Sequence, residues 1–473
     1  MYRYRWQGAA KAFILTILLL TSGMPIRAQR LDQVAVIDRS DENRSDASDG
    51  DSKTVVKTLV TPSVPKYYSQ QDGLTPADLI DRALQGNGEL VAVRIEIEKA
   101  RARLTQARLR PNPTLELEQS SGSLLGSPGG GQFSVGASLP LELYGRRRSR
   151  IEVAEIEIRA REAEVANFER RVAADVLKNY ADALSALHEL QILENILELN
   201  LQTTRFVQIR VNEGETPPLE LNLLQVEVER MRSKRELTEG KLQAALTKLK
   251  LLSGMSFDET LRLREQIDTA TLPQIPATAI TAIDVAIKTR PDILLAQIEE
   301  EVATAGLRLI RAQSRPDFTA YTRFTEGRLG FRNLPDEPYQ SRDRSLTFGV
   351  AIGLPIFNKN QGAKAAAELS IKQAQTRRDF AEKVVRSEVM AAFQRIEAAR
   401  RALLTLETGV VRRSEENLKV FEQVYAVGNI RITELINEQR RLLDANRDFT
   451  EALTERYRAT ADLLVSIGTN SYR

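Results

Sequence analysis

Two hydrophobic periods take turns along this chain, and each appears twice. Apolar and charged positions recur at helical spacing over residues 89–110 and again over 291–315, and both runs stop at an Arg-Pro, Arg110-Pro111 and Arg315-Pro316. Proline disfavours helix in the residue before it, so both helices are expected to end there. The period then drops to two. Thr114-Leu115-Glu116-Leu117-Glu118 alternates, and Phe318-Thr319-Ala320-Tyr321-Thr322 is rich in strand formers. A Gly/Ser/Pro loop follows, Ser120 to Gln132 in one copy and the longer Glu326 to Arg344 in the other. A second strand then sets Phe133, Val135, Ala137 and Leu139 on one face and Ser134, Gly136 and Ser138 on the other. Its twin carries Phe348, Val350, Ile352 and Leu354, and Leu-Pro ends both.

Helical spacing returns over Arg148 to Val211 and Gly362 to Val427, neither interrupted by proline. In the first of these Ile151, Ile158, Val165 and Val172 recur every seven residues, a coiled-coil period. Runs of roughly 60–66 residues make rods of about 90–100 Å. A turn follows each, Asn212 to Pro218 in one copy and Val427-Gly428-Asn429 in the other. The returning helices, about 35 residues and about 50 Å, cover half the rod. The short helix before the strands adds about 33 Å, so each copy is expected to pair one long helix with two shorter ones in line.

The copies match in order. Ala107-Arg108-Leu109-Arg110-Pro111 answers to Ala312-Gln313-Ser314-Arg315-Pro316, and Gly214 with Leu219-Glu220-Leu221 answers to Gly428 with Thr433-Glu434-Leu435. Ser253-Gly254 answers to Ile467-Gly468. The chain is therefore a duplication. Residues 72–254 form the first repeat, 255–280 a linker, 281–468 the second repeat and 469–473 a tail. Ahead of them, Arg3, Arg5 and Lys11 precede an apolar run from Ala12 to Leu20, and residues 1–28 read as a signal peptide. Residues 29–71, acidic and rich in Ser and Asn, are expected to be unstructured.

Composition narrows the function. The chain has no cysteine and one histidine, His188, which removes thiolate sites, cysteine nucleophiles and His-based centres. Lys+Arg 67 against Asp+Glu 64 leaves +3, too little for a dedicated nucleic-acid binder. The run Arg146-Arg147-Arg148 with Arg150 is expected to form a basic patch beside the membrane. No nucleophile elbow, P-loop or His cluster appears, so no enzyme and no cofactor is expected. Four strands per chain cannot close a membrane barrel, which needs about eight or more, and an open sheet in lipid would strand its edges. Several chains must share one barrel, and three give one wide enough for a lumen. The rival reading is a periplasmic coiled-coil tether capped by soluble hairpins.

In its duplication, its Arg-Pro exits into strands, its two Leu-Pro strand ends and its paired glycine turns, the chain resembles the TolC-type outer-membrane efflux family, from about Leu74 to Gly468. Leu139-Pro-Leu-Glu-Leu-Tyr-Gly-Arg-Arg-Arg and Gly214-Glu-Thr-Pro-Pro-Leu-Glu-Leu look most like the CzcC branch, which serves heavy-metal efflux. The resemblance implies a mainly α fold with a small β part: a homotrimer sharing a twelve-stranded outer-membrane β-barrel and a long periplasmic α-helical tunnel. It implies a passive exit duct partnered by a periplasmic adaptor and an inner-membrane pump of the RND type. Metal cations, drugs and, as in type I secretion, proteins all remain open as cargo. It places adaptor docking at the helix–helix tips, on Val211, Gly214, Pro217, Leu219, Tyr425, Gly428, Ile430 and Thr433. It places a gate there too. Tyr425 and Arg431 stand where the family has its gate tyrosine and arginine, Glu220 where it has their acidic partner, and Glu434 where it has the first of two ring acids. Asn437 takes the second acid's place, a departure from the pattern.

Overall fold

The computed structural model describes residues 62–121, 131–270, 275–330 and 340–468. The expected signal peptide, most of the expected unstructured segment and the 469–473 tail lie outside them. Each copy contributes a hairpin: β1 (Thr114–Ser121) with β2 (Gly131–Leu141), and β3 (Asp317–Gly330) with β4 (Gln340–Gly353). The four strands form one antiparallel sheet in the order β1-β2-β3-β4. The strands of the second copy run further than the alternation alone marks and take up both ends of the expected 326–344 loop.

Before the first hairpin come α1 (Val64–Tyr67), α2 (Pro76–Gly86) and α3 (Gly88–Arg108); after it come α4 (Arg146–Asn212) and α5 (Pro218–Leu252). The second copy repeats the plan with α6 (Ala279–Thr289) and α7 (Pro291–Gln313), then α8 (Gln361–Thr405), a π-helical segment Leu406–Val411, α9 (Arg412–Ala426) and α10 (Ile432–Ile467). The two shorter helices of each copy do stack end to end. In the first, Asn87 at the head of α3 donates to the Leu252 carbonyl at the tail of α5 (2.9 Å). Gly254, at φ +67°, lies so close to Gly86 that any side chain would overlap its carbonyl. In the second, Thr289 donates to Ile467 O (2.8 Å) and buried Arg290 to Ser466 O (3.1 Å).

The seven-residue row of α4 continues far beyond the positions that announce it. Val165, Val172, Asn179, Ala186, Leu193, Asn200 and Val207 are all buried. The second long helix was expected to be equally continuous, and it is not. Val389, Ile396 and Leu403 keep the same spacing, but the stripe resumes at Leu418 and Tyr425, one position out of step. The π-helical segment between them absorbs the extra residue. It sits where Thr405 and Thr408 bond back to the carbonyls of Arg401 and Leu404, and where Gly409 adds no side-chain packing.

Two segments outside the expected repeats are packed against the rod. Residues 62–71 were expected to be unstructured, yet Ser63 N donates to Glu194 (2.8 Å) and Tyr67 Oη to Glu239 (2.8 Å). The linker supplies the other half of that contact. Leu263 exchanges backbone hydrogen bonds with Tyr67 and Ser69 (2.8 and 3.0 Å), and Leu261, Leu263 and Ile267 are buried with Leu79, Ile80 and Tyr180. Apolar side chains in both segments are the physical reason: each covers the core at mid-rod that the other would leave open.

The basic run is also not an open patch. Arg147 donates to Arg108 O (3.0 and 2.8 Å) and Arg150 to Ala107 O and Leu109 O (both 3.0 Å), while Arg150 also pairs with Glu142. Arg146 donates to the carbonyls of Ala312 (3.2 Å) and Arg315 (2.6 Å) and pairs with Asp317. These carbonyls are the orphan acceptors at the ends of α3 and α7, which a following proline prevents from being satisfied by further helix. Removing both guanidiniums (Arg146→Ala with Arg150→Ala) leaves several acceptors without partners. The expected loss is about 3 kcal/mol or more, read as a lower urea midpoint for the far-ultraviolet helical signal at unchanged slope. An unchanged midpoint would mean that water caps these helix ends equally well.

Candidate functional site

At the end of the rod away from the sheet, the α4–α5 and α9–α10 turns share one apolar core. Val207, Leu221 and Leu224 from the first copy are buried with Leu418, Tyr425, Ile432, Leu435 and Ile436 from the second. Both long helices stop in the same way. Gly214 and Gly428 adopt φ +78° and +84°. The next residue donates five positions back, Glu215 to Arg210 O (2.9 Å) and Asn429 to Val424 O (3.1 Å). The glycines donate to Val211 O (3.1 Å) and Tyr425 O (2.9 Å), which completes a Schellman end in each copy. Pro217 caps α5 and Pro218 opens it, where a missing N–H costs nothing.

Of the expected gate residues, the fold brings two together. Buried Tyr425 donates from its hydroxyl to Glu220 Oε2 at 3.1 Å, across the two copies. Burial, then the Glu220 charge, pushes the phenol well above its ordinary range, so it stays a donor at any physiological pH. Arg431 is not part of this contact. It caps α10 with its backbone and is exposed, and among the described residues its guanidinium has no hydrogen-bond or ion-pair partner. Glu434 and Asn437 are likewise exposed, on the face of α10 opposite the buried Leu435 and Ile436. Among the expected docking residues, Gly214, Pro217, Leu219, Gly428 and Thr433 are exposed, Leu219 at 65%. Val211 and Ile430 are half-buried against the tip core.

Sequence reasoning missed Arg210. It pairs with Glu215 (3.4 Å), stacks over Phe206 (5.8 Å to the ring centre), and brings Nη2 within 3.8 Å of where a side chain at Gly428 would begin. Its place four residues before Gly214, in the last turn of α4, was the available signal, since basic groups favour helix C-termini. It also missed Glu227, which is buried on α5 and bridged by Arg440 of α10 at 2.6 Å. His188 is mid-rod, and burial lowers its pKa against the raising influence of Asp268. No group of three or more acidic, His or Cys side chains able to hold a metal exists among the described residues.

At the other end, the sheet has two unlike faces. Cross-strand register aligns Leu115, Ala137, Thr322 and Phe348 in one row and Leu117, Val135, Phe324 and Leu346 in the next, all on one face. That face is uncovered: Leu115 and Leu117 are 67% and 68% exposed and Phe348 is 73%. The opposite face is small and polar, with Ser134 only 4% exposed. There Arg323 of β3 reaches across Gly136 of β2 to Glu116 (3.0 Å) and Glu118 (3.3 Å) of β1. A side chain at position 136 would stand 3.6 Å from the Arg323 Nε, so glycine leaves the path open. The far edges of β1 and β4 have no strand partner among the described residues. No described helix is long and apolar enough to cross a membrane.

Known proteins share this plan. The family model for the outer membrane efflux protein matches residues 79–255 and 282–469. The cobalt-zinc-cadmium resistance protein CzcC of Cupriavidus metallidurans is 24% identical over 412 residues, 85% of this chain and 92% of that protein. The cation efflux system protein CusC of Escherichia coli O157:H7 is 27% identical over 304 residues, 63% of this chain and 65% of CusC. Among solved structures, the outer-membrane channel OprN superposes with a TM-score of 0.67 at 17% identity, covering 86% of this chain and 95% of OprN. The duplicated repeat, the sheet with one uncovered apolar face and the helical rod place this chain in the outer membrane efflux protein family, as an outer-membrane efflux channel with a large periplasmic part.

Proposed function

We propose that three copies of this chain assemble into the exit duct of a tripartite system that carries divalent heavy-metal cations out of the cell. The observation that carries the reading is the sheet: among the described residues it has four strands, one apolar face uncovered and both edges without a strand partner. Lipid tolerates no open edge, so each free β1 must pair with a neighbour's β4, and three copies close twelve strands around the polar face. The duct is passive. Energy comes from an inner-membrane pump of the RND type, through a periplasmic adaptor seated on the tips. Gly214, Pro217, Leu219, Gly428 and Thr433 offer the exposed surface there, and Val211 and Ile430 support it from beneath. Similarity to CzcC and CusC, named for cobalt-zinc-cadmium resistance and cation efflux, supports the cargo.

The gate works by two bonds of different reach. Tyr425 and Glu220 tie the two hairpins within one chain. Arg431, without a partner among the described residues of its own chain, reaches a neighbouring chain when three tips converge. Glu434 then faces the axis in triplicate, a ring that repels anions and attracts cations, with Asn437 adding no charge below it.

Three outcomes follow. Arg431→Ala is expected to raise single-channel conductance in planar bilayers by roughly twofold or more, because the constriction is held by charge pairs, and Tyr425→Phe by less; unchanged conductance in both removes the lock. Gly428→Val forces a branched side chain into φ +84°, so it should abolish efflux while the heat-resistant oligomer still forms on gels; normal efflux would separate the tip from docking. In a host lacking its own metal duct, co-expression with the matching pump and adaptor should raise zinc, cobalt or cadmium tolerance and leave tolerance to apolar drugs unchanged; the reverse pattern would move the cargo to another class.

A further inference from the structure

The uncovered face of the sheet ends abruptly in charge. Along β4, Ile352, Val350, Phe348 and Leu346 point to the same side, and the next two residues on that side are Arg344 and Arg342. The register confirms the side: Arg344 pairs with Glu326, which pairs with Phe133, the last apolar residue of the outward row on β2. The two guanidiniums share one carboxylate, Arg344 Nη2 at 3.5 Å and Arg342 Nε at 3.8 Å from Glu326 Oε1. Two cations on one anion leave a net positive charge, and both arginines are about 60% exposed (59% and 61%). From Ile352 to Arg344 is eight residues, about 26 Å along the strand. With a strand tilt of about 40° this projects to about 20 Å along the membrane normal, most of a barrel's apolar band of about 25 Å. The helical rod leaves the opposite end of the sheet, so this end lies at the outer leaflet.

We infer that Arg342 and Arg344 bind the phosphate of the phosphorylated glycolipid of the outer leaflet, whose acyl chains lie against the Leu346–Phe348 row. A guanidinium offers paired N–H donors that match phosphate oxygens, and the site lies at headgroup depth beside an apolar wall for the chains. Glu326 holds the pair in place and competes with the lipid. The inference rests on the sheet lying in the outer membrane with its apolar face to lipid.

The test uses the full-length protein in dodecyl maltoside, titrated with diphosphoryl lipid A and followed by native mass spectrometry. Wild type should retain lipid A. Arg342→Ala with Arg344→Ala should weaken binding tenfold or more, and Glu326→Gln should tighten it, a direction that mere loss of a cross-strand contact would not produce. A lipid A lacking both phosphates should bind like the double variant does. Millimolar inorganic phosphate should not compete, because the acyl chains supply part of the binding; full competition would reassign the site to a free anion and overturn the lipid. Equal retention by wild type and double variant, or weaker binding by Glu326→Gln, also overturns it. Heat-modified gel migration reports barrel assembly separately. A variant that assembles yet loses lipid A speaks to this site alone, whereas a wild-type protein that forms no heat-modifiable oligomer would fail the assembly itself.

Discussion

The fold depends on how two helices are made to end. Proline at 111 and 316 stops α3 and α7, and stopping a helix leaves its last carbonyls without donors. Arg146, Arg147 and Arg150, all in the opening turns of α4, supply those donors to both helix ends at once. One short stretch of one helix therefore fixes where both hairpins leave the rod. It joins the two copies at the level where α-helix gives way to sheet. Without such a junction, the change from one backbone geometry to the other would leave the last carbonyls of both helices without protein donors.

From that junction the sheet rises with a division of labour between its faces. Small residues on β2 let Arg323 span the polar face to two carboxylates on β1. The first copy thus contributes acids and the second a base to a link that ties β1 to β3 across β2. The other face is apolar apart from Thr322 through those two rows, and charge returns at its far end. At the opposite pole of the molecule the copies cooperate again, through Tyr425 on Glu220 and Arg210 between the two turns. The duplicated halves are therefore unequal partners. At each functional end, one supplies what the other lacks.

Much of this was legible in the amino-acid order. The Arg-Pro stops, the alternating strands and the paired glycines each report a local backbone demand, and local demands survive translation into sequence patterns. The in-line pairing of short helices followed from length alone. The misses share a different cause. The packing of Tyr67 and Leu74 against Leu263 joins stretches about two hundred residues apart, and nothing in either stretch announces its partner. Arg146 and Arg150 read as a patch because their acceptors are backbone carbonyls, which carry no sequence signature. For the tip, Glu220 and Tyr425 were legible through the resemblance, but Arg210 was hidden because its role comes from the fold around Gly428, not from its neighbours in the chain.

The six-residue π-helical stretch has one more consequence. The buried stripe steps fifteen residues across it, Leu403 to Leu418, one more than two heptads, where its twin in α4 keeps seven throughout. The second copy thus holds one surplus residue, looped into a widened turn so that the seam on both sides still faces α10. Stored slack of this kind is a dislocation in an otherwise regular lattice. In an assembly built from three such chains it would recur at three symmetry-related points and never on the α4 rods, so any twist imposed on the tips would have a single place in each subunit to unwind.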